Sequence, residues 1–63
     1  MTNEEIKQYF GPDRLVYKFM GNADELFVLQ DANSNSYNYI VIDSQIYVSP
    51  EKQINDSRAQ PLE

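Results

Sequence analysis

Residues 37–48, with the sequence YNYIVIDSQIYV, decide the fold. Aromatic and β-branched residues fill both halves of this stretch, and the polar step Asp43-Ser44-Gln45 divides them. Such side chains favour the pleated strand, and a connection this short joins neighbouring strands in antiparallel order. We therefore predict a β-hairpin with strands over residues 37–43 and 46–48.

Two more stretches upstream of the hairpin have strand character. Residues 14–20 alternate and are rich in Val, Tyr and Phe, and residues 25–30 contain the apolar run LFVL. Turn-forming residues separate the two stretches at 21–24 and follow the second one at 31–36. The pattern predicts a four-stranded antiparallel β-meander.

A short helix is predicted before the first strand. Thr2 and Glu5 have the spacing of a capping box, and Met1 and Ile6 occupy the positions of a hydrophobic staple. A Gly-Pro pair after the segment provides a stop signal. The sequence predicts a helix over residues 3–10 that packs on the sheet, because about two turns are not stable alone.

The C-terminal segment is predicted to add little to the fold. Ser49-Pro50-Glu51 has the composition of a helix start, but few apolar residues follow it. We expect an α+β protein with a single small domain over residues 1–49. Residues 50–63 are expected to form a short helix or a disordered tail. Two origins stay open for Leu62-Glu63, native sequence or a vector-derived remnant of a tag junction.

Both faces of the predicted meander are apolar, because side chains alternate with period two. The helix can cover only one face. An apolar patch left open on a small protein is typical of an interface. The residues predicted to form this interface are Val16, Met20, Phe27, Leu29, Ile40, Ile42 and Tyr47.

Four covers for the open face are considered. A second copy of the chain gives a two-sheet sandwich, and we expect such a homodimer first. The C-terminal segment folding back through Ile54 and Leu62 is the second, and a different protein is the third. The fourth is a sheet that curls into a small barrel.

Composition excludes several function classes. The 63 residues contain ten acidic and five basic side chains, a formal net charge of −5, and neither histidine nor cysteine. The charge disfavours nucleic acid and anionic membranes as partners. The missing side chains are the commonest general base, metal ligand and thiol nucleophile. We expect no cofactor, no metal and no enzymatic activity.

One motif resembles a metal site and fails on inspection. Asp31, Asn33 and Asn35 have the opening spacing of a calcium loop. Ser36 stands where that loop needs Gly, and Ile42 stands where it needs a bidentate Glu. The sequence indicates a polar connection between strands instead.

The resulting functional hypothesis is a small non-enzymatic protein-interaction module that self-associates through an apolar sheet face. The alternative is an acidic inhibitor that mimics the charge of a nucleic acid. The N-terminus lacks the basic and apolar regions of a signal peptide, so a cytoplasmic location is expected.

Overall fold

The computed structural model describes residues 2–62. In chain order its elements are α1 (Asn3–Phe10), β1 (Tyr17–Phe19), α2 (Ala23–Asn33), β2 (Tyr37–Ile42), β3 (Gln45–Pro50) and β4 (Ala59–Pro61). The strands form one sheet in the order β2-β3-β1-β4, and each neighbouring pair is antiparallel. The α+β class and the N-terminal helix are confirmed.

Helix α1 begins as its sequence predicts. The Thr2 hydroxyl accepts a hydrogen bond from the Glu5 backbone N–H at 3.2 Å, and the Glu5 carboxylate accepts one from the Thr2 N–H at 3.0 Å. Hydrogen bonding of the Glu5 carboxylate to the backbone, and then to the side chain, of Thr2 holds the pKa of Glu5 below its usual value. Gly11 ends the helix with φ of 128°, a conformation that favours glycine. Met1, the first half of the predicted staple, lies outside the described residues.

The β2–β3 hairpin also forms as predicted. Its register pairs Tyr39 with Val48 and Ile42 with Gln45. The turn has two residues, Asp43 and Ser44, with φ of 51° and 64°. Positive φ at both positions defines a type I′ turn, whose twist matches that of the flanking strands.

The strand predicted at residues 25–30 is wrong, because this segment lies in helix α2. The Asn22 side chain caps the helix and accepts a hydrogen bond from the Glu25 N–H at 2.9 Å. Leu26 and Leu29, three residues apart, are both buried. Without a strand here, β1 pairs with β3, and the predicted meander order is wrong as well.

The predicted C-terminal helix or disordered tail is also wrong. Pro50 is the last residue of β3, and residues 59–61 form β4 against β1. The Leu62 N–H extends this pairing with a hydrogen bond of 2.9 Å to the Val16 carbonyl. The C-terminal segment therefore folds back, but it adds an edge strand to the sheet and does not cover the face that was predicted to be open.

The main core lies between α2 and one face of the sheet. Pairing of Tyr17 with Val48 and of Phe19 with Ile46 places these four side chains on that face, which we call the first face. The buried cluster contains Tyr17, Phe19, Leu26, Leu29, Tyr37, Ile46, Val48, Ile54 and Ala59. The sequence predicted only the N-terminal helix as a cover for the sheet, but the first face is covered by α2.

The opposite, second face carries a smaller contact with the segment after α1. Ser49 is fully buried, and alternation with Val48 places it on the second face. Arg14 donates from Nε to the Ser49 hydroxyl at 2.9 Å and from Nη2 to the Ser49 carbonyl at 3.3 Å. Ile6 of α1 is buried outside the main cluster. These contacts leave α2 and α1 associated with different parts of the sheet.

Candidate interaction site

The structure does not assemble the predicted interface as one surface. Phe27 and Leu29 were predicted two residues apart on the strand over residues 25–30, but both lie on α2. Leu29 is 2% exposed and Val16 is 5% exposed. Both side chains are buried in the protein interior, so their prediction as interface residues is wrong.

The other predicted interface residues of the β2–β3 hairpin lie on the second face, as the alternation of side chains predicts. Ile40, Ile42 and Tyr47 share the second face and are half-buried. Met20 follows β1 and is 51% exposed. The second face is therefore only partly open, and no residue of α2 extends it.

A different group of apolar side chains is exposed at the border between β2 and α2. Phe27, Tyr39 and Val41 are 49%, 42% and 59% exposed. The rings of Phe27 and Tyr39 meet edge to face, with centroids 6.3 Å apart and planes at 81°. We call Phe27, Tyr39 and Val41 the apolar strip.

Local sequence explains why the strip is exposed. Successive helical residues are rotated by about 100°, so Phe27 and Val28 project from opposite flanks of α2 while Leu26 and Leu29 enter the core. Phe27 lies on the flank next to β2, as its contact with Tyr39 shows. Tyr39 and Val41 lie on the first face, but at the edge of the sheet, where the helix covers it incompletely.

Strand β2 also presents backbone groups at this edge. In a hairpin closed by a two-residue turn, the flanking pair exchanges both backbone hydrogen bonds, and exchanging pairs then alternate along the ladder. Ile42, Ile40 and Asn38 therefore bond to β3. The N–H and C=O groups of Tyr39 and Val41 point away from the sheet.

A shallow groove runs along the same edge on the side of α1. It has a volume of about 550 Å³ and is lined by Tyr9, Phe10 and residues 37–40. Tyr9 is 65% exposed, and its ring meets that of Phe10 edge to face at 5.4 Å. Aromatic side chains therefore flank the β2 edge from both faces of the sheet.

The polar residues of the rejected calcium motif have structural partners. Asn33 donates from its side-chain amide to the Leu29 carbonyl at 2.8 Å, inside α2. Asn35 is buried and donates to the Lys52 carbonyl at 3.2 Å. Among residues 2–62, His, Cys, Asp and Glu side chains form no group of three or more that could hold a metal ion. The predicted loop at 31–36 is in part the last turn of a helix.

Neither helix in the described part of the chain is long and apolar enough to cross a membrane. Comparisons of the chain with protein-family models, with curated proteins and with solved structures found no match.

Tyr39 and Val41 were not among the predicted interface residues. The predicted interface lay on the opposite face of the sheet, and the predicted meander gave residues 37–43 a neighbouring strand on either side. The predicted alternation of side chains along β2 is correct, but the second strand predicted beside β2 is absent. Residues 25–30 form a helix, and β1 pairs with β3, so β2 lies at the edge of the sheet and the strip is exposed.

Proposed function

We propose that this protein is a small non-enzymatic protein-interaction module that self-associates through the apolar strip. The observation that carries the proposal is the packed and half-exposed pair Phe27 and Tyr39. Exposed apolar groups next to an open strand are typical of surfaces that bind another protein. Tyrosine and other aromatic side chains also supply much of the binding energy in such contacts.

The size of the strip indicates a weak association. Burying the exposed half of three large apolar side chains stabilises a complex by about 2–4 kcal/mol per copy. Association itself costs about 4–15 kcal/mol in lost freedom of motion. The strips of two copies alone therefore support a contact no tighter than about millimolar, and further backbone or side-chain contacts are needed to reach the micromolar range.

Side-chain chemistry supports the non-enzymatic part of the proposal. The chain has no histidine and no cysteine, and Asp56, the carboxylate with the most strongly lowered pKa, is held by Arg58. That pairing stabilises a turn before β4 and does not prepare an acid or base for catalysis.

Sedimentation equilibrium of the full chain between about 5 and 500 μM tests self-association. We expect a monomer–dimer equilibrium that Phe27→Ser weakens at least tenfold. Val28→Ser is the matched control, because Val28 is 62% exposed on the opposite flank of the same helix. A chain that stays monomeric at the highest concentration, or equal effects of both variants, would contradict the proposal.

Ionic strength gives a second measurement on the same samples. Each copy carries a net charge of −5, so two copies repel each other at low salt. An apolar contact should therefore strengthen between 0.05 and 0.5 M NaCl, since salt screens this repulsion. A self-association that weakens over this salt range would contradict an apolar contact.

A further inference from the structure

We propose that two copies of the chain pair β2 with β2 in antiparallel order, about a two-fold axis at Tyr39. The two four-stranded sheets would then form one continuous sheet. This inference rests on the proposed self-association and adds its surface, its hydrogen bonds and its register. The partner it names is a second copy of this chain.

The two edges of the sheet differ in how well they are protected. Edge strand β4 has three residues and ends in Pro61, which has no N–H to donate. Edge strand β2 has six residues, Tyr37–Ile42, with no proline and no charged side chain. Proteins usually protect an open edge with charges, prolines or bulges, because its free backbone groups pair readily with another strand. The β2 edge has the chemistry of a strand that pairs.

Symmetry and hydrogen bonding select the register. A two-fold axis perpendicular to the sheet keeps the two first faces on the same side, so opposite residues must have the same parity. An axis at Tyr39 places Tyr39 opposite Tyr39 and Val41 opposite Tyr37. Tyr37, Tyr39 and Val41, whose backbone groups point away from β3, then all exchange hydrogen bonds with the second copy. An axis at Ile40 instead places Tyr37 opposite Asp43, a turn residue with φ of 51°.

This arrangement also joins the apolar surfaces. The apolar strips of the two copies lie on one side of the extended sheet, and Tyr9 from each copy lies near the other side. Taking about 150–250 Å² for a large side chain, the exposed parts of Tyr9, Phe27, Tyr39 and Val41 supply on the order of 400 Å² per copy. Two copies and their paired backbones reach the lower end of specific interfaces, at about 1,000–1,200 Å². The area therefore fits a dimer of micromolar affinity.

A proline on the outer edge tests the backbone pairing. Val41→Pro removes an N–H that points away from β3, and proline is tolerated at such edge positions within a monomer. We expect the variant to retain the circular dichroism spectrum of the wild type and to sediment as a monomer where the wild type is a dimer. Should it fail to fold, Val41→Lys tests the same edge with a charge.

Met20→Lys is the matched control for Val41→Lys. Met20 and Val41 are exposed to a similar degree, 51% and 59%, but Met20 follows β1 and donates its backbone N–H to Arg58 beside β4. We expect Val41→Lys to weaken dimerisation at least tenfold and Met20→Lys to change it less than threefold. Equal effects would place the contact elsewhere.

Single cysteines test the register, because the chain contains none. With the axis at Tyr39, the two Tyr39→Cys residues lie about 5.5 Å apart between Cα atoms, within the range of a disulfide. The two Val41→Cys residues lie roughly 14 Å apart, four strand residues along the ladder. We expect oxidation to give a covalent dimer for Tyr39→Cys and none for Val41→Cys.

The outcomes separate this inference from the proposed function. A wild-type dimer that Val41→Pro and Val41→Lys leave intact overturns the β2 pairing, while self-association stands. Equal crosslinking at positions 39 and 41 overturns the axis at Tyr39. A wild-type chain that is monomeric throughout overturns both proposals. They are overturned even if the β2 edge then pairs with a strand of a different protein.

Discussion

The phenol oxygen of Tyr17 in β1 accepts a hydrogen bond from the backbone N–H of Ile54 at 3.3 Å. This bond joins positions 37 residues apart in the chain. Ile54 is 5% exposed and belongs to the main core. The connection between β3 and β4 is therefore held by a specific buried contact, and the chain after Pro50 is part of the fold.

Removing the Tyr17 hydroxyl should destabilise the protein. Tyr17→Phe leaves the buried Ile54 N–H without its acceptor, at a cost of about 1–3 kcal/mol. The measurement is the free energy of unfolding in urea. Tyr37→Phe is the control, since the buried Tyr37 oxygen has no hydrogen-bond partner within residues 2–62. We expect that control to be neutral or stabilising, and equal losses in both variants would contradict the assigned roles.

The difference in stability between the wild type and Tyr37→Phe should depend on pH. Burial raises the pKa of Tyr37, with further contributions from Asp56 and Tyr17. A raised pKa in the folded state means that the stabilisation is present below about pH 10 and is lost as the pH rises through the folded value. Tyr37→Phe should therefore lose less stability than the wild type in alkaline solution.

Shortening Ile54 should show that the C-terminal segment belongs to the core. Ile54→Ala removes buried methyl groups and leaves a cavity, which costs about 2–4 kcal/mol. Val28→Ala, at a side chain that is 62% exposed, should change stability by less than about 0.5 kcal/mol. A loss of similar size in the two variants would show that the segment is loosely attached.

Acid should weaken the turn before β4. Asp56 accepts hydrogen bonds from the side chain and the backbone N–H of Arg58, which lowers its pKa from 3.8 to about 2. Because the folded-state pKa is depressed, this stabilisation is present above about pH 4 and is lost as the pH falls toward 2. Asp56→Asn should flatten the stability curve in that interval.

Carboxyl carbon shifts in NMR provide the direct measurement. Arg58→Gln removes the charged partner, so the pKa of Asp56 should rise toward its ordinary value in that variant. An Asp56 carboxyl that titrates at the same pH in both proteins would show that the ion pair, with N–O distance 2.9 Å, does not form in solution.

Gly21 should not tolerate a side chain. A Cβ atom added there would lie 2.8 Å from Cε2 of Phe19, whose side chain is fully buried. Since the ring has no space to move, Gly21→Ala should cost about 1–3 kcal/mol. Urea unfolding measures this cost, and a variant as stable as the wild type would show that the segment between β1 and α2 shifts freely.

The hairpin turn offers a stabilising change. Ser44 has φ of 64°, a left-handed conformation that disfavours residues other than glycine by about 1–2 kcal/mol. Ser44→Gly should therefore raise the free energy of unfolding by roughly 0.5–1 kcal/mol, after the entropy cost of glycine. Ser36→Gly, at a position without positive φ, should lower it. A loss at Ser44 would contradict the type I′ assignment.

Helix α2 was predicted as a strand, although its sequence contains a pair of residues typical of a helix start. Asn22 and Glu25 have the same spacing as Thr2 and Glu5 at the start of α1, and both pairs form N-terminal caps. The apolar run LFVL resembled a strand, because short apolar runs do not distinguish a strand from a buried helix. The capping pair and the spacing of Leu26 and Leu29 were sufficient to indicate the helix.

Strand β4 could not be found in this way. Residues 59–61 contain one alanine and one proline and have little strand propensity of their own. They form a strand because β1 leaves open backbone groups there, and Lys18 pairs with Gln60. Tertiary pairing here overrides local preference, and no pattern within the segment announces it.

Local sequence by itself determined α1, the β2–β3 hairpin and the alternation of its side chains. These features depend on contacts between residues a few positions apart, which capping, turn length and side-chain period describe. Only the tertiary structure decided which strands are neighbours, which helix covers the first face and which apolar residues remain exposed. Those outcomes depend on how distant segments share one small core. Residues 25–30 were predicted as a strand but form a helix, and the exposed apolar surface was predicted on the second face but lies at the β2 edge.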